Sequence, residues 1–346
     1  MAGDLSDKGR TLLKTLVEIY IRDGQPVGSK VLAEESDLSV SSATIRNIMS
    51  DLEDQGYLAS PHTSAGRIPT AQGYRMFVDS LLQKAPVSDE DISHLSKKID
   101  PDMTSQEIVE SVSSTLSEMT SLAGLVMLPR IEQLIMRHIE FLRLEQNRVL
   151  LILVLDDHEV QNRVLQTRRA YTEIELKEAS NFLNAHFSGN TLSSIQGRLV
   201  KSMRKDSERM DKLMQIVMEM AEKAFGPENR QDYVMSGQEN LVDLARDRAL
   251  EDIRDLFKAF SLKGDILHLL DRCMGEEGVH LYIGNESGYD LLGECSLVTS
   301  TYGKDGVPMG ALGVIGPTRM AYGRVIPIVE ATATLLTAAL NRAVRR

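Results

Sequence analysis

Apolar positions in the first eighty residues recur at helical spacing. Leu12, Leu13, Leu16, Val17 and Tyr20 lie along one stripe of an amphipathic helix. Asp23-Gly24, with Pro26 just beyond, bring that helix to a stop. Gly28-Ser29 open a second, short helix that runs through Val31 and Leu32 to about Glu35. The turn Ser36-Asp37-Leu38-Ser39 follows, and Ser41 or Ser42 caps a third helix that Gly56 ends. Two short helices, a tight turn and a well-capped following helix make a helix-turn-helix pattern. Beyond it, Tyr57-Leu58, a polar stretch from Ser60 to Gly66, and Arg67-Ile68-Pro69 outline a small hairpin. Ala71 to Lys84 then carry a helical stripe of Met76, Phe77, Leu81 and Leu82. The pattern over residues 1–84 predicts a winged helix.

Residues 85–103, from Ala85-Pro86 through a charged stretch to Asp100-Pro101-Asp102, read as a linker. Helix returns from about Ser105 to Ala123, and the period then changes. Arg137 to Glu145 alternate, Arg148 to Leu155 are nearly all apolar, and Val160 to Gln166 alternate again, with Asp156-Asp157-His158-Glu159 as a turn. That is a β-meander. Helical pattern runs from Glu173 through Ser261, punctuated by Pro227 and Gly237. Strand pattern resumes at Val279–Ile283, Cys295–Thr301 and Gly310–Gly316, and a last helix starts at about Ile328. Strands, a long helical excursion and further strands predict an α+β multidomain chain. Its second domain is split into 104–172 and 263–346 by an insert over 173–262.

Composition changes the picture in one respect. The chain has 346 residues and a net charge of −11, which excludes a uniformly basic surface for nucleic acid or an anionic membrane. Residues 1–84 alone carry nine Lys/Arg and eleven Asp/Glu, a net charge of −2. Residues 57–84 carry Arg67, Arg75 and Lys84 against Asp79, a net +2, so phosphate contacts would come from the hairpin and the helix after it. Cys273 and Cys295, the only cysteines, make no disulfide scaffold and read as reduced thiols. Without a basic, apolar leader or an aliphatic run near the ~20 residues that span a bilayer, the expectation is a soluble, cytoplasmic chain with no membrane partner.

The third helix carries the candidate chemistry. Ile45, Ile48, Met49 and Leu52 form its core side, while Ala43, Arg46, Asn47, Ser50 and Asp54 face the other way. Ser41, Ser42, Thr44, Arg46 and Asn47 gather at its N-terminal end, the part of a recognition helix that enters the major groove. Arg pairs bidentately with guanine and Asn with adenine. A capped surface helix with a solvated face has the same pattern, and the segment alone does not separate the two.

Elsewhere the chemistry is sparse. The seven His are scattered without Cys partners and suggest no metal site, and no nucleophile elbow points to an enzyme. Asp156-Asp157-His158-Glu159 reads as a solvated turn. Gly310, Gly313 and Gly316, followed by Thr318-Arg319, admit either close backbone packing or a small-molecule effector site. The Met-rich stretch with Met210, Met214 and Val217 reads as helical core with some residues at a dimer contact.

Longer runs are more specific. Gly28-Ser29-Lys30-Val31-Leu32, Ser42-Ala43-Thr44-Ile45-Arg46-Asn47-Ile48-Met49 through Leu52-Glu53, and Pro61-His62-Thr63-Ser64-Ala65-Gly66-Arg67-Ile68-Pro69-Thr70 with Gly73-Tyr74-Arg75 resemble the HrcA family. Its members are heat-inducible transcription repressors of bacterial chaperone operons. Ile283-Gly284-Asn285-Glu286, Ser296-Leu297-Val298 with Tyr302, and Gly313 to Met320 with Tyr322 resemble the C-terminal signature of the same family. The resemblance implies a winged helix-turn-helix, a GAF-like α/β domain and an α-rich dimerisation domain inserted in it. It implies a homodimer on double-stranded DNA, at an inverted-repeat operator of the CIRCE type, with activity modulated by the GroEL chaperonin and no cofactor. Carried over, Ser41, Ser42, Thr44, Arg46 and Asn47 become base and phosphate contacts, and His62, Thr63, Ser64, Arg67 and Arg75 contacts from the wing and its following helix. A regulator that binds an effector in the GAF-like domain is the alternative.

Overall fold

A computed structural model of the chain describes residues 5–38, 40–62, 66–83, 85–99, 103, 105–128, 134–155, 160–192, 194–195, 198, 212–225, 233–240, 263–274, 278–288, 293, 295–304 and 306–343. The apolar stripe of the first helix, α1 (Asp7–Asp23), is its buried face, with Leu12, Leu13, Leu16 and Val17 inaccessible to solvent. Ser6 caps its N-terminus, and Gly24 closes it in the left-handed conformation, donating to the Tyr20 carbonyl. Next come α2 (Ser29–Glu35) and α3 (Ser42–Asp54), then β1 (Leu58–Ala59) paired antiparallel with β2 (Ile68–Pro69). The following helix is shorter than its pattern predicts. It runs as α4 (Ala71–Met76) into a single π turn over Phe77–Leu81, closed by Leu82 N–H on the Phe77 carbonyl at 2.7 Å.

The expected linker holds a helix of its own, α5 (Asp89–Lys98). Ser88 caps it, Asp89, Glu90 and Asp91 fill its first turn, and Lys97 and Lys98 its last. The charge run is thus ordered to complement the helix dipole. After α6 (Ser105–Thr120) comes β3 (Ala123–Met127), a strand that the sequence pattern did not mark.

The chain divides into two compact units, the first comprising residues 1–100, 107–127 and 233–339 and the second 101–106, 128–232 and 340–346. In the second, β4 (Met136–Arg143), β5 (Arg148–Leu155) and β6 (Val160–Gln166) form the expected antiparallel meander. It is accompanied by α7 (Glu173–Phe187) and α8 (Lys212–Phe225). A capping box between Thr172 and Glu175 starts α7. Asn184 and Ser180 of α7 then bond the backbone of Ile139 and Phe141 at 2.9–3.1 Å, occupying the outer edge of β4.

In the first unit, β7 (Tyr233–Ser236), β8 (Val279–Ile283), β9 (Cys295–Lys304) and β10 (Val307–Pro317) join β3 in an antiparallel sheet of order β7-β3-β10-β9-β8. α9 (Lys263–Cys273) sets Ile266, Leu269 and Leu270 against Leu125, Leu297 and Ile315 of this sheet. The last helix, α10 (Tyr322–Ala343), starts before the predicted Ile328 and carries Pro327 within its early turns. By length and composition Tyr322–Asn341 could cross a membrane, but Val325, Ile326, Ile328, Val329 and Leu336 are buried in the protein.

The observed units displace the expected boundaries. The meander, assigned from sequence to the split domain over 104–172, belongs with α7 and α8 in the second unit. Conversely β7, inside the predicted helical insert over 173–262, completes the sheet of the first unit. Both β3 and β7 are only four or five residues long, β3 in the interior of the sheet and β7 at its edge. Segments so short, with β3 buried throughout, have no alternation to read. The turn Asp156–Glu159 and residues 241–262 lie outside the described residues.

Glycine spacing in β10 is explained by packing. A Cβ on Gly313 would collide with the Val298 carbonyl oxygen, one on Gly310 would sit 2.5 Å from the Tyr302 hydroxyl, and one on Gly316 2.5 Å from Leu122 Cδ2. The effector reading of these glycines loses its basis, because backbone and side chains fill the space. Gly313→Ala should cost about 2 kcal/mol or more through overpacking. Thermal unfolding of the variant reads this as a lowered midpoint, and an unchanged midpoint would mean that β9 and β10 separate freely.

Candidate nucleic-acid interface

Ser41 caps α3, its hydroxyl accepting from Thr44 N–H at 3.2 Å and lying 3.0 Å from the Thr44 hydroxyl. Two of the predicted contact residues therefore build the helix start. Ile45, Met49 and Leu52 turn into the core and Ile48, expected with them, is only half-buried, whereas Ala43, Arg46, Asn47 and Ser50 are exposed. Arg46 is oriented from the side. Its Nε donates to Ser29 Oγ at 3.2 Å, and Ser29 Oγ lies 3.4 Å from Ser42 Oγ. The first residue of α2 thus steers the guanidinium, leaving its two terminal nitrogens directed away from that bond.

The hairpin is fixed to α3 by one carboxylate. Glu53 accepts from Ser60 Oγ at 2.7 Å and pairs with Arg67 Nη2 at 2.7 Å, so both strands of the wing are tied to the recognition helix. Arg67 also exchanges two backbone hydrogen bonds of 2.9 Å with Val27, bringing the chain before α2 against the wing. Thr70 closes the base by donating to the Gly56 carbonyl at 2.6 Å and capping α4. In the sequence, Glu53 stands out only as the last residue of the motif running from Ser42 through Leu52-Glu53. Its spacing to Arg67, a single charge of opposite sign returning from a hairpin, was the available signal.

The predicted contact residues therefore separate into three groups. Arg46, Asn47, Ser42 and Thr44 stand together on α3, and exposed His62 sits on the wing. Thr63 and Ser64 lie outside the described residues, as does Met210, and nothing is described of the Met214 side chain. Arg67 and Arg75 are each engaged in an ion pair. Arg67 is 27% exposed and committed to Glu53. Arg75 reaches the C-terminal domain, donating from Nε to Glu286 Oε1 at 3.1 Å and from Nη2 to Glu286 Oε2 and, at 2.6 Å, to the Leu281 carbonyl. The Glu286 carboxylate, and then Asp79, push its pKa above the usual arginine value against the effect of burial. Val217, expected near a dimer contact, is fully buried within the second unit, so its side chain is used in the monomer core.

A capped third helix with an exposed polar N-terminal half, braced by a two-stranded wing, defines a winged-helix DNA-binding regulator. Comparison with known proteins agrees. A family model described as "Winged helix-turn-helix transcription repressor, HrcA DNA-binding" matches residues 4–81, and one described as "HrcA protein C terminal domain" matches residues 106–326. The heat-inducible transcription repressor HrcA of Xanthomonas axonopodis pv. citri is 47% identical over 337 residues, 97% of this chain and 96% of that protein. Its counterpart in Xylella fastidiosa strain M23 is 45% identical over the same shares. The chain belongs to the HrcA family of heat-inducible transcription repressors. These are regulators and not enzymes. A crystal structure of a hypothetical protein shares the fold, with a TM-score of 0.65 and 23% identity over 98% of this chain and 100% of that one.

Because Arg67 is anchored and Arg46 is exposed, the two arginines should fail differently. Arg67→Ala should lower the thermal midpoint, reflecting about 1 kcal/mol for a half-buried pair and its lost wing contact. Arg46→Ala should leave the midpoint within error, and equal midpoint losses in the two variants would contradict the assignment.

Proposed function

We propose that the chain represses chaperone genes as a homodimer bound to an inverted-repeat operator of the CIRCE type, with the GroEL chaperonin modulating its activity. The observation that carries this reading is the exposed pair Arg46 and Asn47 at the N-terminal end of α3. Inserted into the major groove, Arg46 would offer its terminal nitrogens to guanine O6 and N7 while Ser29 holds Nε, and Asn47 would pair with adenine. Ser42, Thr44 and the helix amides would meet backbone phosphate, with His62, Thr63 and Ser64 doing so from the wing. Arg67 serves as the anchor of that wing. Family membership supports the operator class and the chaperonin link. The five-stranded sheet of the first unit is taken as the GAF-like domain, and the second unit, which enters the sequence between β3 and β7, as its dimerisation insert.

A two-fold operator requires a two-fold protein. The second unit offers a suitable surface. Leu151, Leu153 and Ile139 of the meander are buried, but on its other face Leu142, Leu150 and Val164 lie in one register row and Val154 and Val160 in another, with Ile152 between them flanked by Glu140 and Asn162. Val160 and Val164 are 53% and 55% exposed. Aliphatic side chains grouped this way are stabilised by covering, and a second copy of the same face is the proposed cover.

Gel-shift titration on a CIRCE-type operator tests the DNA reading. Arg46→Ala and Asn47→Ala should each weaken operator binding by roughly 5- to 150-fold, the range of one lost bidentate base pair contact. Random duplex should be held as before. Unchanged operator affinity in both variants would refute the assignment of α3. For the dimer, Val164→Lys should shift sedimentation toward the monomer at micromolar concentration while circular dichroism is retained. A fully dimeric variant would move the interface off this face.

A further inference from the structure

Among the described residues, contacts from three separate places of the winged-helix region, α4, the end of α1 and the chain after the π turn, join it to the C-terminal sheet and its following helix within the first unit. Arg75 forks onto Glu286 and the Leu281 carbonyl, two places on and just after β8. Glu286 is itself held in position, accepting Ile283 N–H at 2.9 Å. Beside it, the Tyr74 and Tyr322 rings meet at a centroid distance of 5.9 Å and a 56° tilt. Tyr322 is locked by its hydroxyl, 2.7 Å from both Ser296 Oγ and the Thr318 carbonyl. At the far end of α1, the Arg319 guanidinium lies where a Cβ on Gly24 would stand. Finally, Ala85 N–H donates to the Gly323 carbonyl at 3.2 Å, pinning the chain just after the winged helix.

A body held at several separated points cannot rotate about any one of them. We propose that Arg75 and Glu286 are positioning residues that fix the winged helix on the C-terminal domain and so set the half-site spacing that the dimer accepts. The inference rests on the reading of the protein as a dimeric operator-binding repressor. The ion pair is the directional element of the contact, because a bidentate arginine fork tolerates little change of angle. In a two-fold dimer, how each winged helix is mounted enters directly into the distance and rotation between the recognition helices. Half-site separation then becomes a geometric property of the protein. Inserting one base pair moves a half-site by about 3.4 Å and rotates it by roughly a tenth of a turn, displacements a clamped domain cannot follow.

Glu286 makes the test clean. It belongs to the C-terminal domain and is an acid, so its loss removes no favourable contact with DNA. The full-length dimer is titrated with CIRCE-type inverted repeats whose central spacer is shortened or lengthened in single base-pair steps, using wild type, Glu286→Gln and Arg75→Gln. Wild type should show one sharp optimum. Both variants should lose about tenfold in affinity at that optimum, and their preference over neighbouring spacings should flatten. Should Glu286→Gln lose its circular-dichroism signal, Arg75→Lys, which keeps the charge without the fork, takes its place with the same expectation. Profiles as sharp as wild type in both variants overturn the proposal. So does a loss confined to Arg75→Gln, which would make Arg75 a DNA contact, and so does a wild type indifferent to spacing. A wild type that binds no inverted repeat at any spacing defeats the repressor reading itself.

Discussion

The first unit depends on how closely β10 is approached by its neighbours. Its residues from Met309 to Gly316 are all buried, and three of them are glycines because Val298, Tyr302 and Leu122 occupy the space a side chain would need. That closeness has consequences further along the chain. The strand delivers Thr318, Arg319 and Tyr322 to the end of the sheet, where Tyr322 is fastened between the Thr318 carbonyl and Ser296 of β9. Tyr322 then supports Tyr74, and the neighbouring Glu286 holds Arg75. The order of dependence runs from backbone packing in a sheet to the mounting of a DNA-binding helix more than 200 residues away in sequence.

Much of this was legible in the chain, and the parts that were not share a physical reason. Leu12, Leu16 and Tyr20 announce α1 because a helix with one buried face writes its period into the sequence. Ser41 and Gly56 bracket α3 for equally local reasons, a cap and a left-handed turn. The meander shows because β5 alternates between a covered and an open side. By contrast, Ala123–Met127 is buried throughout and Tyr233–Ser236 is only four residues long, so neither has a period; the first went unmarked and the second was absorbed into a helical stretch. The helix at Asp89–Lys98 was missed although its signals were present, an acidic start after Ser88 and a basic end. A charge run reads as linker until the order of its signs is considered.

The destinations of charged side chains were the least legible feature. Counting charges placed Arg67 and Arg75 among the contacts to phosphate, since their segment carries a net +2. Only the fold reveals that Arg67 is answered by Glu53, and Arg75 by Glu286, which is 211 positions away. The resemblance of both ends of the chain to one family hinted at a connection between them. Gly73-Tyr74-Arg75 closes one motif block, Asn285-Glu286 and Tyr322 belong to the other, and they meet in space.

This redistribution alters what an acidic DNA-binding protein has to do. Of the nine basic residues in 1–84, Arg22 is paired with Asp23 and Glu35, Arg67 with Glu53 and Arg75 with Glu286. Those charges are committed to holding the domain together and onto its neighbour, and they contribute little to a general attraction for phosphate. Non-specific binding draws almost entirely on that attraction, so on the repressor reading it is weak from the start. Affinity then has to come from base contacts at Arg46 and Asn47, multiplied by engaging two half-sites at once. Such multiplication is lost when geometry forbids simultaneous engagement. On that reading, a domain that commits three of its nine basic residues to ion pairs relies the more on the angle at which its reading heads are mounted, and two of those arginines serve structure: Arg67 braces the wing against α3 and Arg75 holds α4 to the C-terminal sheet.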